Sequence, residues 1–115
     1  MQIKKFKAKT LKEAIGIFEK CGTRFYLGWA HRLLGEIFSK TSANNTAEHF
    51  EKSIDILKNI KAEGELAHTY ASYGRWYLNQ KNLHYAKIYL TKAHEIFERI
   101  ETLNQIEEIR NELDF

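Results

Sequence analysis

Gly35-Glu36-Ile37-Phe38 and Gly74-Arg75-Trp76-Tyr77 decide how this chain is read. In each, a glycine is followed three positions later by an aromatic, after an aromatic-rich stretch. A second register repeats beside them. Ala14-Ile15-Gly16-Ile17-Phe18-Glu19-Lys20 returns as Ser53-Ile54-Asp55-Ile56-Leu57-Lys58-Asn59 and as Ala93-His94-Glu95-Ile96-Phe97-Glu98-Arg99, at the spacing of the two glycines to within one position. Two helical patterns alternating at a period of about forty residues point to a stacked α-solenoid, in which each helix pair buries its apolar face against its neighbours.

Working outward from these copies, apolar residues spaced three or four apart predict about six helices. The first runs from Gln2 to Cys21 through Ile3, Phe6, Leu11, Ala14, Ile15 and Phe18, and Gly22-Thr23 ends it. The second covers Arg24 to Lys40. Thr41-Ser42-Ala43-Asn44-Asn45 reads as a loop that supplies capping residues for a third helix, Thr46 to Lys61. Gly64 marks the next break. A fourth helix follows from Glu65 to Asn79, then a polar turn and a fifth from Leu83 to Ile100. A sixth runs from Leu103 to Leu113. Sustained two-residue alternation, the mark of strands, is missing.

Glycine in mid-helix costs about 1 kcal/mol relative to alanine. Two of them at equivalent positions therefore imply a packing reason. The expected one is close approach of a neighbouring helix that leaves no room for a Cβ, with Phe38 and Tyr77 filling space one turn later. The small residues Ala47, Ser53, Ala86 and Ala93 on the partner helices fit that picture.

The chain has 115 residues, no proline, one cysteine and a formal net charge of +3. That length makes one domain-sized unit with a modest core. No apolar run approaches the roughly 18 residues of a membrane span, and the basic N-terminus lacks the apolar stretch of a signal peptide. A lone cysteine cannot form an internal disulfide, which fits a reducing, cytoplasmic setting. The charge is unevenly placed. Residues 1–24 hold seven basic residues against Glu13 and Glu19, whereas residues 101–115 hold five acidic residues against Arg110. Ends of opposite sign can steer end-to-end association, although solvated helix faces also carry such charge.

Tyr70-x-x-Tyr73-Gly74-x-x-Tyr77, followed by Ala86, Leu90 and Ala93, resembles a tetratricopeptide repeat. The earlier copy is His31-x-x-Leu34-Gly35-x-x-Phe38 followed by Phe50 and Ser53, with His31 where an aromatic is usual. By this resemblance residues 2–22 form a half repeat, 24–61 and 65–101 two full repeats, and 103–113 a closing helix. The fold it implies is a right-handed superhelix of antiparallel helix pairs. The copies depart from the family in their period, which is longer than the family's usual one, and in lacking the proline after the second helix. Phe18-Glu19-Lys20-Cys21-Gly22-Thr23-Arg24 is similar to a joint of longer repeats in large bacterial signalling proteins. Opening on a second helix then suggests a fragment of a longer array.

In the family the first helices of each repeat line a groove that binds peptides. Carried over by position, the candidates are Trp29, Arg32, Glu36 and Lys40 on one helix and His68, Ala71, Ser72, Arg75 and Asn79 on the next, with Arg110 on the last. Trp and Arg are common binding hot spots. The competing reading is that Arg32 and Arg75 pair with Glu36 and other carboxylates across the groove, and that Trp29 packs. The lysine–asparagine clamp by which some members hold a C-terminal carboxylate is not reproduced.

No other constellation carries chemistry. The rings of Tyr70, Tyr73, Trp76, Tyr77, Tyr85 and Tyr89 read as core rather than as a stacking platform for bases. His31, His49, His68, His84 and His94 are scattered, with no metal-ligand spacing, and Cys21 reads as a small buried hydrophobe. Neither a phosphate loop nor a nucleophile in a recognisable setting occurs. The expectation is a non-catalytic protein- or peptide-binding scaffold with no cofactor, no metal and no membrane partner, serving a larger signalling protein. A homo-oligomerisation module is the alternative, since Ile3, Phe6 and Leu11 could form an unsatisfied terminal face. A nucleic-acid-binding helical repeat, resting on the N-terminal lysines, ranks third.

Overall fold

A computed structural model describes residues 2–41 and 45–113, with side chains for residues 7–41, 45–104 and 107. The chain is all-α: α1 (Gln2–Cys21), α2 (Arg24–Ser39), α3 (Thr46–Asn59), α4 (Glu63–Asn79) and α5 (Leu83–Leu113). Each helix packs on the next, and α2 also touches α4. Among the described residues, no helix is long and apolar enough to cross a membrane.

Three joints share one chemistry. Gly22, Lys61 and Lys81 each adopt a left-handed backbone, with φ of 68°, 58° and 61°. In each, the next residue's N–H reaches five positions back: Thr23 to the Phe18 carbonyl, Ala62 to Leu57 and Asn82 to Tyr77. This closure satisfies carbonyls that the helix end would leave open and turns the chain within two residues. Lysine has a Cβ that crowds the left-handed backbone, so the second and third joints each carry about 1–2 kcal/mol of strain that glycine avoids.

The joints correct three expectations. The third break falls at Lys61-Ala62, so α4 starts at Glu63 and Gly64 lies in its first turn. No joint forms near residue 102, where no described residue has positive φ, so the fifth and sixth expected helices are one 31-residue helix. The count is therefore five rather than six among the described residues, and 103–113 is no separate closing helix. Cys21 is exposed rather than buried, because the last residue of α1 lies at the joint, past the packed face. Of the expected loop, residues 42–44 lie outside the described residues, and Asn45 caps α3 without a side-chain hydrogen bond.

Two apolar clusters form the core. Ala8, Ile15, Leu27, Ala30 and Leu34 join α1 to α2. Leu57, Leu66, Ala67, Tyr70, Ala71, Ala93 and Ile96 join α3, α4 and α5. Between the clusters lie Phe50 and Tyr73, both fully buried, with stacked rings 5.2 Å apart. Tyr73 also meets Tyr77 at 4.8 Å and Tyr89 at 4.6 Å, and Tyr70 stacks on Tyr89, so much of the tyrosine-rich set packs together. The Tyr73 hydroxyl donates to Glu51 Oε1 at 3.1 Å and lies 3.0 Å from the Tyr77 hydroxyl.

The repeated glycines sit where helices touch. A Cβ on Gly35 would come within 2.8 Å of the Phe50 ring, and one on Gly74 within 2.7 Å of Leu90 Cγ and 3.1 Å of its backbone nitrogen. Gly28, which the repeat register does not single out, is equally tight against Leu57 at 2.7 Å. Gly28 meets Leu57 while Gly35 meets Phe50, so α2 and α3 run antiparallel. Gly74 meets Leu90 and His68 meets Phe97, which makes α4 and α5 antiparallel too.

Candidate interaction face on helices α2 and α4

Arg32 and Glu36 stand one turn apart on α2, at the spacing that lets side chains meet on a helix surface. The Arg32 Nη1–Glu36 Oε1 distance is 2.7 Å. From α4, Glu65 Oε1 accepts from Arg32 Nε and Nη2, both at 2.6 Å. Ser72 Oγ donates to Glu36 Oε1 at 2.7 Å. Thus residues 32 and 36 of α2 pair in the same order with 65 and 72 of α4, and the two helices lie parallel. The Arg32 and Glu65 side chains are only 15% and 16% exposed. Partial burial strengthens such charge-assisted bonds relative to a surface pair. One guanidinium faces two carboxylates, which leaves the cluster negative.

The other expected residues surround or leave this network. Trp29, one turn before Arg32, is half-buried and meets Tyr26 edge-on at 6.5 Å. Phe25 and Tyr26 beside it are 44% and 50% exposed. Arg75, one turn after Ser72, is exposed, as is Asn79 at the end of α4. His68 is exposed but held edge-on against Phe97 at 5.1 Å. Lys40 is exposed beyond the end of α2, where it rims a cleft against α1. Ala71 is 6% exposed and belongs to the core, so it cannot line a surface. The side chains of Ile3, Phe6, Ile106, Ile109, Arg110 and Leu113 lie outside the described residues.

Arg32, Glu36 and Ser72 therefore come together as a unit, and the carboxylate that completes the unit is Glu65, which the sequence reading omitted. Glu65 opens the expected fourth helix, lies in the first turn of α4, and looks like an ordinary N-terminal helix acid. Only the parallel placement of α2 and α4 reveals it as the second partner of Arg32.

A second polar contact was also missed. His31 Nδ1 lies 2.9 Å from His49 Nδ1, across the α2–α3 contact. Their rings stack at 5.2 Å, and Phe38 covers His49. His31 is 6% exposed. One imidazole must donate and the other accept, so the pair needs neutral rings or a single shared positive charge. Burial first, then His49 and Lys52, pull the His31 pKa down to about 4. Burial and Lys52 lower His49 as well. The two histidines stand on different helices, at a sequence separation without a local motif. The register could have found them, since His31 occupies the Tyr70 position and His49 adjoins Phe50.

Among the described residues, no group of three or more His, Cys, Asp or Glu is placed to hold a metal ion. The chain matches no family model, no curated protein and no solved structure, so its function is read from its own residues.

Proposed function

We propose that this chain is a protein- or peptide-binding scaffold whose binding face is formed by α2 and α4. The observation that carries the reading is the Arg32–Glu36–Glu65–Ser72 network, which holds these two helices parallel and side by side. A face built on rigid, cross-linked helices presents side chains without first having to order them, which favours binding. Trp29, with Phe25 and Tyr26, would supply apolar anchors, and Arg75 a free-reaching guanidinium for a carboxylate or backbone carbonyl. Lys40, His68 and Asn79 would form the polar edge.

In this reading the five helices are a tetratricopeptide-like array: α2–α3 and α4–α5 are successive pairs in a right-handed stack, and α1 is the second helix of a preceding pair. The repeat period, the tight glycines and the three like joints support it. A role without catalysis or cofactor, inside a larger cytoplasmic signalling protein, follows by resemblance to long-repeat bacterial arrays.

The test is selection of peptides from a random displayed library, followed by calorimetric titration. Trp29→Ala and Arg75→Ala should each weaken the selected peptide about tenfold or more, while thermal unfolding stays unchanged. Binding that ignores both substitutions would place the site elsewhere.

A further inference from the structure

Two surfaces of opposite charge sit on helices that, among the described residues, make no contact within one chain. The first is an open cleft of about 500 Å³ between α1 and α2. Leu11, Leu33 and Ile37 give it an apolar lining, and Lys7 and Lys40 stand on its rim. Glu36 also lines it, but its carboxylate is taken by Arg32 and Ser72. The cleft therefore offers an apolar trough with two lysines on its rim. Only its α1 wall, with Lys7 and Leu11, belongs to the basic segment 1–24; Leu33, Ile37 and Lys40 come from the α2 side.

The second surface is the far end of α5. Ala86, Ala93 and Ile96 bury against α4. Arg99 then pairs with Glu63, the first residue of α4, so α5 has reached the end of its partner. Beyond Ile100, Glu101, Thr102, Leu103, Asn104 and Glu107 are all exposed, Leu103 at 57%. The helix nevertheless continues to Leu113, an overhang of about 20 Å at 1.5 Å per residue. Its sequence places apolar residues at 103, 106, 109 and 113, and acids at 101, 107, 108 and 112 against Arg110 alone.

Among the described residues α1 and α5 share no contact, so the cleft and the overhang of one chain do not meet. Their chemistry matches nonetheless. We propose that the α5 overhang docks in the α1–α2 cleft of a second copy of this chain. This is helix-in-groove recognition, with Leu103 in the trough and Glu107 against Lys7 and Lys40. The lysines would speed encounter and fix register, and the apolar contact would supply most of the affinity.

Light scattering across a concentration series tests this. The expected mass rises from 13.6 kDa toward twice that value, and the rise weakens as salt is added. The double variants Lys7→Glu with Lys40→Glu, and Glu107→Lys with Glu108→Lys, should each raise the apparent Kd about tenfold or more. Mixed together, the two variants should associate again. A single 13.6 kDa species at every soluble concentration overturns the proposal and leaves the cleft to a different partner. Association that ignores both reversals and salt overturns it as well. Should a variant misfold by circular dichroism, the salt dependence of the unaltered chain decides. The readout is self-mass and not peptide affinity, so this proposal fails or holds independently of the α2–α4 face.

Discussion

At the scale of the residue, the glycines carry the most consequence. Gly35 and Gly74 are mid-helix, where glycine is unfavourable by about 1 kcal/mol, yet each faces a side chain closer than a Cβ tolerates. Gly16, by contrast, has nothing within 4 Å of where its Cβ would stand. Gly35→Leu and Gly74→Leu should therefore each lower stability by about 1–3 kcal/mol, through overpacking against Phe50 and Leu90. Gly16→Ala should raise stability by up to about 1 kcal/mol. Thermal melts check all three. Unchanged melting for both leucine variants would contradict the close-approach account. The positions of Gly35 and Gly74 were legible because repetition marks them. Gly28 was not, because its counterpart one period later is Ala67, a residue with a Cβ.

At the scale of the element, α2 and α3 meet through the paired imidazoles of His31 and His49. The groups facing this pair are Lys52 and Glu48 on α3, Lys12 on α1 and the Phe38 ring on α2. The His31 pKa falls from 6.5 in the unfolded chain to about 4 in the folded one. A depressed histidine pKa means the unfolded state takes up its proton first. The stability it supports is full above pH 6.5 and is lost progressively as pH drops toward 4. Chemical denaturation between pH 7 and pH 5 should show this loss, and His31→Phe should flatten it in that window. An equal slope in the variant would assign the pH dependence to other groups. Helix boundaries were mostly legible from apolar spacing, with α1 matching at both ends. They failed where the break depends on backbone conformation. Lysine is an unexpected left-handed residue, so Lys61 gave no signal and Gly64 a false one. The absence of a joint near residue 102 was equally silent, because the apolar pattern on either side resembles two helices.

At the scale of the whole molecule, helices distant in sequence make the candidate face. Arg32 and Glu65 are 33 residues apart, and Glu36 and Ser72 are 36 apart. The Arg32–Glu36 ion pair is what the competing, purely structural reading of these residues expected. The copies that resemble a repeat family implied, by that resemblance alone, that α2 and α4 share a groove, which is why Arg32, Glu36 and Ser72 were named together. They could not predict which carboxylate completes the network, because that depends on the axial offset between the two helices. For the same reason Ala71 looked available in sequence but is consumed by the core. What remains at the surface is a pair of hydrogen-bonded helices bearing Trp29 at one level and Arg75 at another, with the charge network between them.

The most direct test of that face is an amide shift map of the labelled protein during titration with a selected peptide. The largest changes should fall on α2 and α4, including the indole N–H of Trp29 and the amides of Ser72 and Arg75. Changes confined to α1, α3 or α5 would contradict it.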